Sequence, residues 1–155
     1  MNITNILRSE AVGFKESFDS KEEALQRLVS LAAANGGVSD QALALSAVKE
    51  REEMMSTGIG GGIALPHAKT DTVKEPTGSL LILSEPLEFD AVDGEPVFCI
   101  FLLLGRDSRV GLHLRILSKV SRLLSSTEFK SQMVTAQSKE ELMGLFQKFD
   151  NMTTI

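Results

Sequence analysis

His67 is one of two histidines in this 155-residue sequence, and its surroundings suit covalent chemistry. Four of the five residues at positions 58–62 are glycine, and the short apolar run Ile63–Leu65 follows them. Glycine loses more conformational freedom on folding than other residues, so such a segment is typical of backbone that approaches a ligand closely. Pro66 fixes the backbone just before the histidine and removes one N–H donor. The pattern favours His67 as a nucleophile that takes up an anionic group, although a structural histidine in a glycine-rich loop fits it equally well.

A phosphoryl group is one anionic group that such a histidine could take up. An imidazole has a pKa near 6.5, so close to neutral pH it keeps a free lone pair. It can attack phosphorus without a general base, and the N–P bond that forms stays reactive, as a carrier requires. The transfer depends mainly on positioning and charge stabilisation, so backbone N–H groups, a cation and a second donor should assist it. The sequence offers residues of these types, although it does not show that they converge: Gly60, Gly61, Gly62, Arg51 and His113.

Other kinds of site do not fit the order and spacing of these residues. A phosphate-binding nucleotide loop has a lysine followed by Ser or Thr after its glycines, and this sequence has neither there. A dinucleotide-binding loop follows a strand and opens a helix, whereas here a predicted helix precedes and a predicted strand follows. A zinc site needs three or four ligands, and the two histidines are 46 positions apart. We therefore predict no cofactor and no metal.

Arg51 and His113 each have a structural alternative. Arg51 lies in the last turns of a predicted helix, where a cation is favourable against the helix dipole. From the same place it can also reach an anion bound near the glycine-rich segment. His113 lies one turn before Ile116 and Leu117, on the inward side of another predicted helix but at its exposed amino-terminal end. From the residues alone, the structural role is favoured for both side chains.

A long motif around His67 resembles a known family. The segment Thr57-Gly58-Ile59-Gly60-x-Gly62-Ile63-Ala64-Leu65-Pro66-His67-Ala68, with Glu52 upstream, is similar to the phosphorylation-site signature of the type-2 enzyme IIA domains of the bacterial phosphotransferase system, which include mannitol, fructose and nitrogen-regulatory members. The resemblance covers nearly the whole chain. It implies that His67 accepts a phosphoryl group from the carrier HPr and passes it to a IIB domain. It also implies that Arg51 and His113 assist the transfer; His113 is the first residue of the segment His-Leu-Arg-Ile-Leu, which matches a second motif of the family. The glycines are implied to lie near the phosphoryl group.

Composition limits the partners. The formal net charge is −5 and the pI is near 5.1, which argues against nucleic acid or an anionic membrane as a partner. No signal-peptide pattern is present at the amino terminus, and the longest apolar run, Val97–Leu104, is too short to span a bilayer. We therefore expect a cytoplasmic protein without stable membrane insertion. The single cysteine, Cys99, lies inside that apolar run and is predicted to be a buried, inert thiol.

The pattern of apolar and turn-forming residues predicts one α/β domain over residues 1–150 and a C-terminal tail at 151–155. Serine followed three positions later by glutamate predicts helix starts at Ser20 and Ser138. Either Ser39 or Asp40 begins the helix that contains Arg51, with Leu45, Val48 and Met55 on its inner face. The strongest predicted strand is 97–104, which is apolar on both faces, so helices should cover both sides of a mixed sheet. The other predicted elements are a short helix from Ile3, an edge strand within 11–18, a polar turn at 69–76, strands at 78–83 and 87–89, a turn at Asp93-Gly94, a polar loop at 105–111, and helices at 112–124 and 127–136.

Two functions remain open at this stage. The first is a phosphoryl carrier of sugar transport, whose partners are an HPr-type protein and a IIB component. The second is a regulator of the nitrogen branch, in which the phosphorylation state of the histidine controls partner proteins. The sequence shows no attached IIB or membrane IIC segment, which fits both, and it does not identify a sugar.

Overall fold

A computed structural model describes residues 2–34 and 36–151 of the chain. Its core is a six-stranded mixed sheet with helices on both faces, as the sequence predicts. The elements are α1 (Ile3–Ile6), a 3-10 turn (Ser9–Ala11), β1 (Val12–Glu16), α2 (Lys21–Ala33), α3 (Gln41–Met54), β2 (Gly58–Gly60), β3 (Ile63–Ala64), β4 (His67–Lys69), β5 (Thr77–Leu87), β6 (Val97–Gly105), a second 3-10 turn (Asp107–Arg109), α4 (Val110–Ser125), α5 (Thr127–Thr135) and α6 (Lys139–Asp150).

Strand β6 is the centre of the sheet. It pairs antiparallel with β5 on one side and parallel with both β3 and β4 on the other. β1 runs parallel to β5 at one edge, and β2 pairs antiparallel with β3 at the other. Alternate residues of β6 enter two cores: Cys99 and Phe101 pack with α1, α4, α5 and α6, whereas Ile100 and Leu102 pack with α2 and α3. Both faces of this strand are therefore buried, which explains its continuous apolar sequence.

The helix starts follow the predicted caps. Ser20 Oγ accepts a hydrogen bond from the N–H of Glu23 at 3.2 Å, and Ser138 Oγ accepts one from Glu141 at 3.0 Å. Asp40, rather than Ser39, caps α3 through the N–H of Leu43. These side chains satisfy backbone donors that lack a partner within the first turn of a helix.

Three predicted boundaries were wrong, each where tertiary pairing overrides the local pattern. The predicted strand at 87–89 does not form, because β5 continues through Pro86 to Leu87 and residues 88–90 are irregular. The polar turn begins after Lys69 rather than at it, since residues 67–69 pair with β6. Residues 105–111 are not one loop: Gly105 ends β6, a 3-10 turn follows, and α4 begins at Val110.

The inner face of α3 also differs from the prediction at one position. Val48 is buried, and Leu45 is partly buried against the same core. Met55 is 71% exposed, because α3 ends at Met54 and the chain turns extended there. Glu52, a charged residue, is buried instead.

Cys99 is buried and its Sγ lies 3.8 Å from the Sδ of Met133. Burial raises the pKa of this thiol to about 12, so it stays protonated, and the prediction of an inert cysteine is confirmed. Among the helices within residues 2–34 and 36–151, none has the length and apolar content needed to cross a bilayer. The predicted C-terminal tail lies outside the described residues, except for Asn151.

Candidate functional site

His67 is the first residue of β4 and is half-buried. β3 and β4 both pair with β6, and Leu65 and Pro66 form the interruption between them. The carbonyl of Pro66 accepts a hydrogen bond from Leu103 of β6 at 3.0 Å, which ties the interruption to the central strand. The carbonyl of Leu65 lies 2.8 Å from His67 Nδ1. His67 is therefore a strand residue held from two sides, not the loop residue that the glycine-rich sequence predicts.

The contact with Leu65 determines where the proton of the neutral ring lies. A carbonyl oxygen only accepts hydrogen bonds, so Nδ1 must be the protonated nitrogen and Nε2 must carry the lone pair. Burial lowers the pKa of His67 below its ordinary value of 6.5, and the charge of Arg51 also lowers this pKa, although the bond to Leu65 and the charge of Glu52 oppose the shift. At neutral pH the ring is uncharged, with Nε2 available as a nucleophile.

His113 stands beside His67, with ring centroids 5.7 Å apart and planes tilted by 55°. It lies in the first turn of α4 and only 4% of it is exposed, so its predicted place on the inward side of the helix is confirmed. Val110 and Gly111, which precede it, are exposed, as predicted for this end of the helix. Burial lowers its pKa to about 4, and the charges of His67 and Lys69 act in the same direction. Neither of its ring nitrogens has a hydrogen-bond partner within the described part of the chain. A buried polar group without a partner is costly, so this side chain is suited to a ligand that supplies one.

Gly105 gives His113 its place against the sheet. A β-carbon at this position would lie 2.5 Å from His113 Nδ1, closer than atoms can approach. Only glycine at the end of β6 therefore allows α4 to bring the imidazole over the strand. This role of Gly105 was not predicted from the sequence, where it is indicated only by a glycine that directly follows the apolar run 97–104.

Arg51 is at the end of α3, and its Nη1 donates a hydrogen bond to the carbonyl of Met55 at 3.1 Å. The bond satisfies a carbonyl just past the helix, as the structural alternative predicts. The guanidinium also contributes to the walls of the cleft that contains both histidines. From this position, Arg51 can both cap the end of α3 and contact an anion in the cleft.

The cleft has a volume of about 480 Å³ and lies between α3, β4 and the start of α4. Both histidines contribute to its walls, together with the cationic residues Arg51 and Lys69 and the acidic residues Glu50 and Asp107. The exposed apolar residues Met54, Val110 and Leu114 also line it. In the described ranges, no three His, Cys, Asp or Glu side chains converge closely enough to hold a metal ion. The two histidines, Arg51 and Lys69 suit a small anionic group, and Glu50 and Asp107 limit the positive charge of the cleft.

Gly60, Gly61 and Gly62 lie elsewhere, in the turn between β2 and β3 at the sheet edge. Their φ angles of 97°, 66° and 82° are left-handed, which explains why the tight turn is glycine. The N–H of Gly61 donates to Asp93 at 3.0 Å, and its carbonyl accepts from Lys130 Nζ at 3.0 Å. None of the three is a wall residue of the cleft. The structure thus brings His67, His113 and Arg51 together and leaves the glycines in a structural turn.

The comparisons with known proteins agree with this fold. The family model "Phosphoenolpyruvate-dependent sugar phosphotransferase system, EIIA 2" matches residues 5–149. A fructose-specific EIIA component of the phosphotransferase system from Haloferax volcanii is 37% identical over 144 residues, covering 93% of this chain and 94% of that protein. A nitrogen regulatory protein from Klebsiella oxytoca is 38% identical over 144 residues, covering 92% of this chain and 88% of its own length. The crystal structure of the nitrogen regulatory protein IIA-Ntr from Neisseria meningitidis superposes with a TM-score of 0.86 at 31% identity, covering 93% of this chain and 98% of that one. The chain therefore belongs to the EIIA type 2 family of the phosphoenolpyruvate-dependent sugar phosphotransferase system.

Proposed function

We propose that the protein is a phosphoryl carrier that accepts its phosphoryl group on Nε2 of His67. The observation that carries the proposal is the 2.8 Å bond between Nδ1 of His67 and the carbonyl of Leu65. It leaves the Nε2 lone pair for attack, in a cleft that also contains His113. Membership of the EIIA type 2 family supports the same reaction.

In the transfer, the Nε2 lone pair attacks phosphorus and forms the N–P bond. The bond between phosphorus and the donor breaks, and its electron pair leaves with the donor atom. As the new bond forms, the ring of His67 takes up positive charge. The carbonyl of Leu65 stabilises this charge because it accepts from Nδ1–H throughout.

His113 and Arg51 act on the oxygens of the transferred group. Because the pKa of His113 is lowered to about 4, its ring is neutral and has one N–H to donate. The guanidinium of Arg51 turns from the Met55 carbonyl, where it rests without a ligand, toward the phosphoryl charge. Both contributions are electrostatic, which is the main kind of assistance that phosphoryl transfer needs.

The donor would be an HPr-type phosphocarrier, and the next acceptor would be a IIB component of the phosphotransferase system. A regulatory target protein is the second candidate partner. The observation that favours it is the similarity to nitrogen regulatory proteins, which equals the similarity to the fructose-specific component. Transfer to purified sugar-specific IIB proteins separates the candidates: a fast acceptor indicates transport, and its absence together with binding that depends on the phosphorylation state indicates regulation.

The acceptor atom can be tested by phosphorylation with enzyme I, an HPr-type carrier and phosphoenolpyruvate. We expect one acid-labile phosphoryl group, and the ring ¹⁵N and ³¹P spectra should assign it to Nε2 of His67. His67→Ala should abolish labelling, and His113→Ala should slow it while the label stays on His67. Because His67 is part of β4, the folded fraction of each variant must be measured. Labelling of His67→Ala at the normal rate, or a label on His113 of the wild type, would show that the acceptor is wrong.

A further inference from the structure

Glu52 is a buried charged residue that is not among the wall residues of the cleft, and it contacts Thr57 and Lys21. It is 7% exposed in the last turn of α3. Its Oε2 accepts from the N–H of Thr57 at 2.8 Å, and its Oε1 accepts from the Thr57 hydroxyl at 2.6 Å. Lys21 Nζ lies 2.8 Å from Oε2 and balances the charge. The carboxylate thus fixes both the main chain and the side chain of Thr57.

Thr57 in turn holds the segment that contacts the nucleophile. Its carbonyl accepts from the N–H of Leu65 at 2.9 Å, and the carbonyl of Leu65 is the partner of His67 Nδ1. Leu65 lies between β3 and β4 and takes no part in their pairing with β6. Pro66 has no N–H to contribute. The main chain at Leu65 is therefore held by Thr57 on one side and by the bond from Leu103 to the Pro66 carbonyl on the other.

We propose that Glu52 and Thr57 are positioning residues that keep His67 in its reactive tautomer. A neutral imidazole can carry its proton on either nitrogen, and the form with the proton on Nε2 has no lone pair available there. The acceptor at Nδ1 selects the tautomer, as groups behind metal-binding histidines do. The tautomer part of this inference stands on the unphosphorylated protein alone, and only its effect on rate rests on the proposed function.

A purely structural role for the same contacts predicts a different result. The Lys21–Glu52 pair links α2 to α3, so its loss would lower stability whatever the state of His67. Under that alternative, the tautomer of His67 in the folded variants would match the wild type. The ring ¹⁵N shifts of His67, which differ between a protonated and an unprotonated nitrogen, therefore separate the two roles.

The test compares two variants that remove the contacts with two that retain them. In Glu52→Ala both bonds to Thr57 are lost, and we expect a mixture of tautomers in place of Nδ1–H alone. Thr57→Val removes only the hydroxyl bond and should show a smaller change. Glu52→Gln and Thr57→Ser keep an oxygen in the same place and should retain the wild-type spectrum. Thr57→Val keeps nearly the shape of threonine, so it remains informative if Glu52→Ala does not fold.

Phosphorylation rates are measured on the same samples. A displaced nucleophile reacts much more slowly, so Glu52→Ala should be at least about tenfold slower per folded molecule. Ser79→Ala is the matched control, because it removes a different buried hydrogen bond, from Ser79 to the Leu28 carbonyl at 2.7 Å. It should lower the melting temperature and leave the tautomer and the rate unchanged. An Nδ1–H tautomer that persists in both folded Glu52→Ala and Thr57→Val would overturn the inference. A shifted tautomer with an unchanged labelling rate would instead count against His67 as acceptor.

Discussion

Two imidazoles in one cleft are both kept neutral by burial, and in the proposed reaction this property suits one to act as a nucleophile and the other as a hydrogen-bond donor. For His67, a lowered pKa preserves the Nε2 lone pair at pH values where a free histidine would begin to protonate. For His113, with a pKa of about 4, the same effect leaves one N–H without adding a second positive charge beside the first ring. The proposed division of roles follows from the partner at Nδ1, which His67 has and which His113 lacks within the described residues.

The lowered pKa of His113 should be visible in the pH dependence of stability. Unfolded, His113 titrates near 6.5, and folded it titrates near 4, so between these values the unfolded chain binds a proton that the folded chain does not. The free energy of unfolding should therefore fall as the pH drops from 6.5 to 4, by up to about 1.4 kcal/mol per pH unit from this group. Urea unfolding of wild type and His113→Gln across that range should show a shallower slope in the variant. Equal slopes would mean that His113 is not buried as a neutral ring.

At the scale of elements, two adjacent residues at the end of α3, Arg51 and Glu52, have proposed roles at the site. Glu52 faces inward and fixes Thr57, while Arg51 caps the helix and borders the cleft. The last turn of α3 therefore contacts the segment that contains Thr57 and also borders the cleft. A change at this end should therefore separate into a stability effect and a rate effect.

Arg51→Ala should slow phosphorylation of His67 by at least about tenfold, equivalent to roughly 1.4 kcal/mol of barrier. Arg51→Lys should restore little, because an ammonium group does not reproduce the planar fork of the guanidinium. Rates by rapid quench and melting temperatures on the same samples test this.

Arg27→Ala is the matched control for Arg51, since it removes a partly exposed arginine paired with Glu16 and remote from the cleft walls. It should leave the rate unchanged. If Arg51→Ala lowers the melting temperature but transfers at the wild-type rate, the arginine is a helix cap only.

The sequence was informative where the signal is local. The caps at Ser20 and Ser138, the amphipathic α4 and the apolar β6 each follow from residues close in the chain, and all were predicted. Strand β4 was missed because its three residues include only one buried apolar side chain, and it forms through pairing with β6 some 36 positions away, as in His67 with Leu103.

For the site, the identities of His67, His113 and Arg51 could be proposed from the sequence and the family motif. Their partners could not. That the N–H of Gly61 is used by Asp93 depends on a contact 32 positions along the chain, and the need for Gly105 appears only when α4 is packed on β6. The glycine-rich sequence predicts a turn, but it does not show which acceptors the N–H groups of that turn contact.

At the scale of the molecule, the two ends of the chain are joined in a buried polar contact. Asp150, near the end of α6, accepts from the N–H groups of Ile3 and Thr4 at 3.0 and 2.9 Å. Lys119 of α4 lies 3.4 Å from the same carboxylate, and both side chains are almost fully buried. One residue thus fixes α1, α4 and α6 relative to one another on the face of the sheet opposite α2 and α3.

Asp150→Ala should lower the free energy of unfolding by about 3 kcal/mol, because it breaks a buried ionic contact and leaves two main-chain donors without the carboxylate. Phosphorylation per folded molecule should not change, since the contact is remote from the cleft walls. Chemical denaturation and the labelling assay measure the two quantities. Glu85→Ala, which removes an exposed carboxylate from β5, should have little effect on either. A stability loss no larger than that of Glu85→Ala would contradict this prediction.

In the proposed relay, the ring nitrogens of His113, which lack a hydrogen-bond partner among the described residues, also affect the free energy released at each transfer. An unsatisfied buried polar group costs about 1–3 kcal/mol, and the proposed phosphorylated state removes that cost. By linkage, phosphorylation should raise the melting temperature, and the same free energy is subtracted from the transfer potential of the phosphohistidine. His113 would then shift the equilibria of both transfers. Transfer from the donor to His67 would become more favourable, and transfer from His67 to the acceptor would become less favourable. His113→Ala should be phosphorylated more slowly, and its phosphohistidine should have a higher transfer potential. The equilibrium constant for phosphoryl exchange with an HPr-type partner measures that potential.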